Sequence, residues 1–261
     1  MRFRAAALIA GASLAAGLAA GCDGQVSLGS GSSSLGASAG PTATANPTPT
    51  AGPSGPATQS AAPGSARAEL AALPIKGRAP MTGYHRDQFG PAWSDTDHNG
   101  CDTRNDVLRS ELTHLTFRAG THECIVLSGD RADPYTGTTI HFVRGGASEL
   151  DIDHVVALGD AWQTGAQQWP ADKRLALAND PLNLLAVDSS ANRRKGDADA
   201  ASWLPPNKAF RCDYVARQVA VKTKYELWVT AAEKSAIGTV LATCPAEPAP
   251  SGGNPTVAPH R

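Results

Sequence analysis

Past its first 22 residues the chain has no apolar run approaching the roughly 18 residues that a spanning helix needs, which excludes a polytopic membrane protein. It has no excess of either charge. The 23 Lys+Arg stand against 24 Asp+Glu, a formal net charge of −1, which excludes a strongly basic nucleic-acid-coating protein. No internal repeat is present, so solenoids and propellers are set aside. Cysteines are few, five in 261 residues, and no two have the CxxC spacing of a structural zinc site. His85, His98, His114, His122 and His141 show no metal-like spacing with one another and read as exposed or satisfied histidines.

What is present divides the chain. Arg2 and Arg4 precede the apolar stretch Ala5 to Ala20, the pattern of an export signal over 1–22. It closes on Leu18-Ala19-Ala20-Gly21-Cys22, which resembles a bacterial lipobox with Cys22 as the lipidated residue. Ala19 stands where leucine is usual, so simple cleavage stays open; either way the expected location is extracellular. Residues 23–66 are Gly, Ser, Ala, Thr and Pro with almost no charge, expected as a disordered linker. Residues 67–245 are expected to hold the folded domain, and the Pro/Gly-rich 246–261 a disordered tail. The membrane is implied as a partner only through the lipid anchor, and no protein partner is implied.

Setting Cys22 aside leaves Cys101, Cys124, Cys212 and Cys244, an even number in an exported chain, and so two disulfides. Of three pairings, Cys101–Cys124 and Cys212–Cys244 is favoured because each joins sequence neighbours. The segment 106–112 reads as a short helix and Thr138 to Val143 as a strand. A second apolar run covers 150–158, helical patterns cover 160–169 and 172–178, and a short apolar segment covers 182–187. Asp188 is a good N-cap for a helix starting near Ala191, and 208–221 and 228–241 are further helix candidates. The expected class is α+β, with a small sheet and helices around it.

The chemistry concentrates between Glu149 and Asp197. Adjacent strand residues face opposite ways, so Asp153 and His154 can serve different partners. A carboxylate suits a hard divalent cation, and a neutral imidazole suits general-base work near pH 7. Asn192 on a following helix would complete an open site, and Arg193, Arg194 and Lys195 would sit beside it for phosphate oxygens.

The order Asp153-His154, then Asn183-Leu184-Leu185, then Ser190-x-Asn192-x-x-Lys195-Gly196-Asp197 resembles the HNH (ββα-metal, His-Me finger) endonuclease motif. The nearest form is the branch containing the C-terminal nuclease domain of GmrSD-type restriction enzymes and many secreted bacterial proteins. The likeness extends to Tyr84-His85-Arg86, Phe89-Gly90-Pro91-Ala92-Trp93 and Asn99-Gly100-Cys101-Asp102-Thr103-Arg104. It implies a ββα-metal core with a small antiparallel sheet. It also implies His154 as general base, Asn183 orienting that histidine, and Asp153 and Asn192 as ligands of one divalent metal. Both outer positions are oxygen ligands, which favours Mg²⁺ or Mn²⁺ over Zn²⁺. The implied substrate is nucleic acid, DNA more than RNA, with a 5′-phosphate product.

Arg86 and Arg104, in the family-like N-terminal segment, are further candidates for the phosphate. Asp95, Asp97 and Asn99, with Gly100 sixth and Asp106 twelfth, match the opening of a calcium loop, against the plainer reading of an Asp/Asn/Gly turn. Trp93, Trp162, Trp169, Trp203 and Trp228 read as packing residues rather than base-stacking platforms. The rival to an enzyme is a cell-surface calcium-binding or wall-associated module on an inactive HNH scaffold.

Overall fold

Alternation in Thr139–Val143 runs exposed, buried, exposed, buried, exposed, so Ile140 and Phe142 share one face. This strand, β3, is the outer member of a three-stranded antiparallel sheet with β1 (Thr113–Phe117) and β2 (Val126–Ala132), in the order β1-β2-β3. The computed structural model describes residues 61–252 except Ser148, all within one unit of the chain, Pro56–Arg261. The expected export signal with Cys22, most of the expected linker and residues 253–261 lie outside the described residues.

The second sheet is a pair. β4 (Leu150–His154) runs antiparallel to β5 (Leu184–Asp188), with Leu150 opposite Asp188 and His154 opposite Leu184. Between them the chain makes α3 (Leu158–Gln163) and α4 (Ala171–Ala178), and directly after β5 comes α5 (Ser189–Lys195). Asp188 caps α5 by accepting from the Ala191 amide at 2.7 Å. The result is strand, strand, helix, with α5 packed on both strands.

A two-stranded sheet in a protein interior leaves outward backbone groups on each strand to be satisfied. On β5 side chains supply the partners. The Ala186 amide donates to Glu111 Oε2 (2.8 Å), and its carbonyl accepts from Arg131 Nε (2.9 Å). Arg131 and Glu111 pair with each other at 3.0 Å. Farther along, the Asp188 amide donates to Asp133 Oδ1 (3.0 Å), and Arg217 donates to the carbonyls of Leu182 and Leu184.

Apolar clusters cover both faces of this pair. Leu150, Ile152, Leu184 and Ala186 pack with Val107 and Leu108 of α2 (Thr103–Glu111) and with Ile140 and Phe142. Leu185 and Val187 face the other way. They join Leu70 of α1 (Ala66–Ala72), Tyr214, Val215 and Val219 of α6 (Arg211–Tyr225), and Ile237 and Leu241 of α7 (Ala231–Leu241). A third cluster under the insertion joins Phe89, Trp162 and Leu177 to Val221 and Tyr225.

The disulfides are the favoured pair. Cys101–Cys124 ties the approach to α2 to the approach to β2, and Cys212–Cys244 ties the start of α6 to the end of α7. Several sequence expectations are corrected in extent. Strands β1 and β2 were not anticipated, because Ser128, Asp130 and Thr116 are polar residues paired across a partly exposed face. The folded body begins before 67 and runs past 245: Ser65 caps α1 and bridges Pro248, and the Ala249 amide donates to Gly64 O at 3.1 Å. The helix expected at 228–241 starts only at Ala231, where Thr230 and Glu233 form a capping box.

Glu233 also closes a buried charge cluster. Lys222 Nζ lies 2.9 Å from Asp160 and 2.7 Å from Glu233, while Arg78 reaches Asp199 at 2.7 Å and Asp160 at 3.4 Å. Three carboxylates thus face two cations. Burial, with Asp160 and Asp199 adding to it against the pull of Lys222, raises the Glu233 carboxyl from 4.5 to about 7. Because the folded value is the higher, its stabilising contribution is complete below about pH 4.5 and is lost as pH rises to about 7. Thermal unfolding across pH 5–8 should therefore show a falling Tm that flattens in Glu233→Gln, whose amide oxygen still completes the capping box. An unchanged slope in the variant would assign the pH dependence elsewhere.

Candidate active site

Strand β4 ends on Asp153-His154, and the pleat sends the two side chains to opposite faces. His154 is buried, and its Nε2 lies 2.9 Å from the Ala178 carbonyl at the end of α4. A carbonyl accepts only, so Nε2 carries the proton and Nδ1 the lone pair. Burial lowers the imidazole pKa to about 3, against the Ala178 hydrogen bond and helped by Arg86 and Lys195, so the ring is neutral at pH 7.

Asp153, on the helix-facing side, is held by two donors. Lys195 Nζ donates to Oδ1 at 3.0 Å and Tyr135 OH donates to Oδ2 at 2.5 Å. Burial raises this carboxyl above its ordinary value, against the pull of Lys195 and Tyr135. Lys195 also donates to the His154 carbonyl at 2.8 Å, so one ammonium binds α5 to the end of β4. This corrects the reading of Lys195 as a phosphate ligand. With Ala191 it lies on the inward face of α5 and its side chain is fully buried, whereas Arg193 and Arg194 are exposed.

Asn183 is fully buried at the start of β5. Its Oδ1 accepts from the Val156 amide (2.8 Å) and its Nδ2 donates to the carbonyls of Val156 (3.2 Å) and Leu177 (3.4 Å). It therefore clamps the chain leaving β4 to the end of α4, the helix whose Ala178 carbonyl fixes His154.

Asp153, His154 and Asn192 line one cavity of about 230 Å³, together with Arg86 and Asp197. Asn192 Nδ2 donates to Asp151 at 3.4 Å, and its amide oxygen accepts no hydrogen bond among the described residues. Each Asp153 oxygen, accepting one bond, retains a lone pair. A carboxylate and an amide oxygen around one space are a donor set that fits Mg²⁺ or Mn²⁺, which keep several waters. Arg104 stands apart from this cavity, half-buried over the Phe142 ring.

The residues of the possible calcium loop do come together. The Asn99 amide donates to Asp95 and Asp97, and its Nδ2 donates to Asp97 Oδ2 (3.0 Å) and Asp106 Oδ1 (3.1 Å). Two groups of titratable side chains have metal-like spacing among the described residues, and neither includes the loop carboxylates. Asp160, Asp199 and Glu233 already enclose Lys222 and Arg78, and Cys212, Cys244 and Glu247 include a disulfide.

Sequence reasoning gave no role to Tyr135 or Asp151, nor to Asp197, although that residue closes the quoted motif. Tyr135 sits in the turn Asp133-Pro134-Tyr135-Thr136-Gly137, where an aromatic among turn residues was the available signal, and the structure buries it fully. Strand alternation already placed Asp151 on the face of Asp153. Asp197 accepts from the Gly159 amide at 3.2 Å, and a Cβ on Gly159 would collide with its carboxylate.

Breaking the buried pair should cost more than losing it whole. Lys195→Met leaves Asp153 uncompensated and should lower unfolding stability by about 3–5 kcal/mol. Adding Asp153→Asn should restore part of that in chemical denaturation. Additive losses would show that the two side chains do not interact.

Residues 102–240 match the model of the C-terminal domain of GmrSD restriction endonucleases, a span that holds both strands, α5 and every residue named around the cavity except Arg86. An "Uncharacterized secreted protein" of Arthroderma benhamiae (strain ATCC MYA-4681 / CBS 112371) is 40% identical over 182 residues, covering 69% of this chain and 85% of that protein. No solved structure matches. With more than half its length matched, the chain belongs to the family of the GmrSD restriction endonuclease C-terminal domain, a nuclease-type domain.

Proposed function

We propose that this protein is an exported, metal-dependent endonuclease that hydrolyses phosphodiester bonds in nucleic acid, DNA foremost, and that β4, β5 and α5 form its ββα-metal core. The observation that carries the reading is the state of His154: a neutral imidazole, fixed through Nε2–H to Ala178 O, in the same cavity as Asp153 and Asn192. Export is supported by the relative labelled secreted and by two disulfides. Lipid attachment at Cys22 is the finer form of that proposal.

In this reading His154 Nδ1 takes a proton from water as the water oxygen bonds to phosphorus. The P–O3′ bond opposite breaks, leaving a 5′-phosphate and a 3′-oxygen that is protonated from solvent. Asp153 and Asn192 would hold the cation, which when bound supplies positive charge at the phosphoryl oxygens and the leaving 3′-oxygen. Lys195 and Tyr135 fix the Asp153 carboxylate, and Asn183 holds the turn that carries His154. Arg86, at the cavity edge, meets the scissile phosphate, while Arg193 and Arg194 meet flanking phosphates from the exposed face of α5.

The test is nicking of plasmid by the purified, disulfide-bonded protein with Mg²⁺ or Mn²⁺. Chelation by EDTA should abolish cleavage, and His154→Ala should lower it by about 10²–10⁴-fold, the usual contribution of a general base. Asp153→Asn and Asn192→Ala should raise the metal concentration needed for half-maximal rate. Activity that survives both EDTA and His154→Ala would place the reaction in another site.

A further inference from the structure

A second cavity, of about 350 Å³, lies against His154 and is lined largely by apolar groups, among them Phe89, Pro91, Trp93 and Leu158. Arg86, His154 and Leu158 line this cavity and the polar one alike, so the two are neighbours across the imidazole. Trp93 lies parallel to His154, with ring centroids 6.2 Å apart and planes within 10°. Its backbone is left-handed (φ 59°), a conformation rare for an aromatic residue and one that marks a constrained position. Asn179 also lines the cavity. It is 2% exposed, and its Oδ1 has no hydrogen-bond partner among the described residues although Nδ2 donates to Leu175 O. The site is thus an apolar slot with an aromatic wall and an arginine at its junction with the cavity assigned to the phosphate.

We infer that this slot takes one nucleobase of the strand being cut, the base next to the scissile phosphate, with Trp93 as its stacking wall. The inference rests on the nuclease reading for the position of the phosphate. The volume lies at the small end of ligand sites, roughly 300–1,000 Å³, enough for a single ring system with its sugar and not for a duplex. A base within a duplex is stacked and paired and cannot enter sideways. The substrate class that follows is single-stranded nucleic acid, or a duplex locally unpaired at the cut. Apolar packing and stacking tolerate every base, so sequence preference is weak. Trp93, read from sequence as a packing residue, is reassigned as a substrate-binding one.

The test compares the full exported chain with Trp93→Ala and Trp93→Phe on three substrates: a single-stranded oligonucleotide, its perfect duplex, and the same strand with every base replaced by an abasic unit. The native protein should cut the single strand at least tenfold faster than the duplex. Trp93→Ala should lower kcat/KM on the intact strand by about tenfold, chiefly through KM, as loss of one stacked base does. Trp93→Phe should retain most of the activity, and on the abasic strand all three proteins should cut alike. An equal loss on the abasic strand, or equal cutting of duplex and single strand by the native protein, would overturn the inference.

A binding arm separates this from failure of the nuclease reading. In EDTA, a 2-aminopurine-containing single strand should be quenched on binding the native protein and not on binding Trp93→Ala. Quenching without cleavage under any metal would keep the base site and sink the nuclease; absence of quenching would overturn the base site itself.

Discussion

The ammonium of Lys195 is the contact on which the site is built. It is fully buried and donates to Asp153 Oδ1 and to the His154 carbonyl, so it joins the last residues of β4 to the last turn of α5. A charge in that position is costly unless paired, and the pairing works only if helix and strand keep their register. That register also sets Asn192, one turn earlier on α5, on the same cavity as Asp153. Tyr135 brings a donor to the other carboxylate oxygen from the turn between β2 and β3. Residues far apart in sequence thus fix a single carboxylate.

The opposite face of β4 is held by the insertion. Asn183 stitches Val156 to the end of α4, and the Ala178 carbonyl at that helix end accepts the hydrogen bond from His154 Nε2–H. An orphan acceptor that every helix terminus must satisfy here also selects the tautomer of the histidine. The edge of β5 shows the same economy of means, with Glu111, Arg131, Asp133 and Arg217 meeting backbone groups that a two-stranded sheet would leave bare. Polar side chains in this interior complete the hydrogen bonding of the strands that carry the site.

Much of the site was legible because its residues are close in sequence and fall on regular elements. Asp153-His154 in an apolar strand run and Asn192 behind an Asp188 cap follow from local pattern, whereas Asn183 was singled out only by the resemblance to the HNH motif. The helices after 208 were legible from periodicity, and two disulfides from the even cysteine count, the observed pairing being the favoured one of three. Strands β1 and β2 were not, since their polar residues are stabilised by cross-strand partners that no local window contains. Lys195 was misjudged because its sequence neighbours are two exposed arginines, and only the helix phase separates it from them.

The linear order of residues was enough to point to the class of fold, to favour one of three cysteine pairings and, through the HNH resemblance, to single out the candidate quartet and the oxygen character of its proposed metal ligands. These depend on residue type and short spacing, which the chain states directly. Tertiary structure alone decided the imidazole tautomer, the burial of Lys195, the service of Tyr135 to Asp153, and the apolar slot between Trp93 and Asn179. Each of these needs a partner from a distant element, and which distant element arrives is decided by packing the whole core, not by any segment within it.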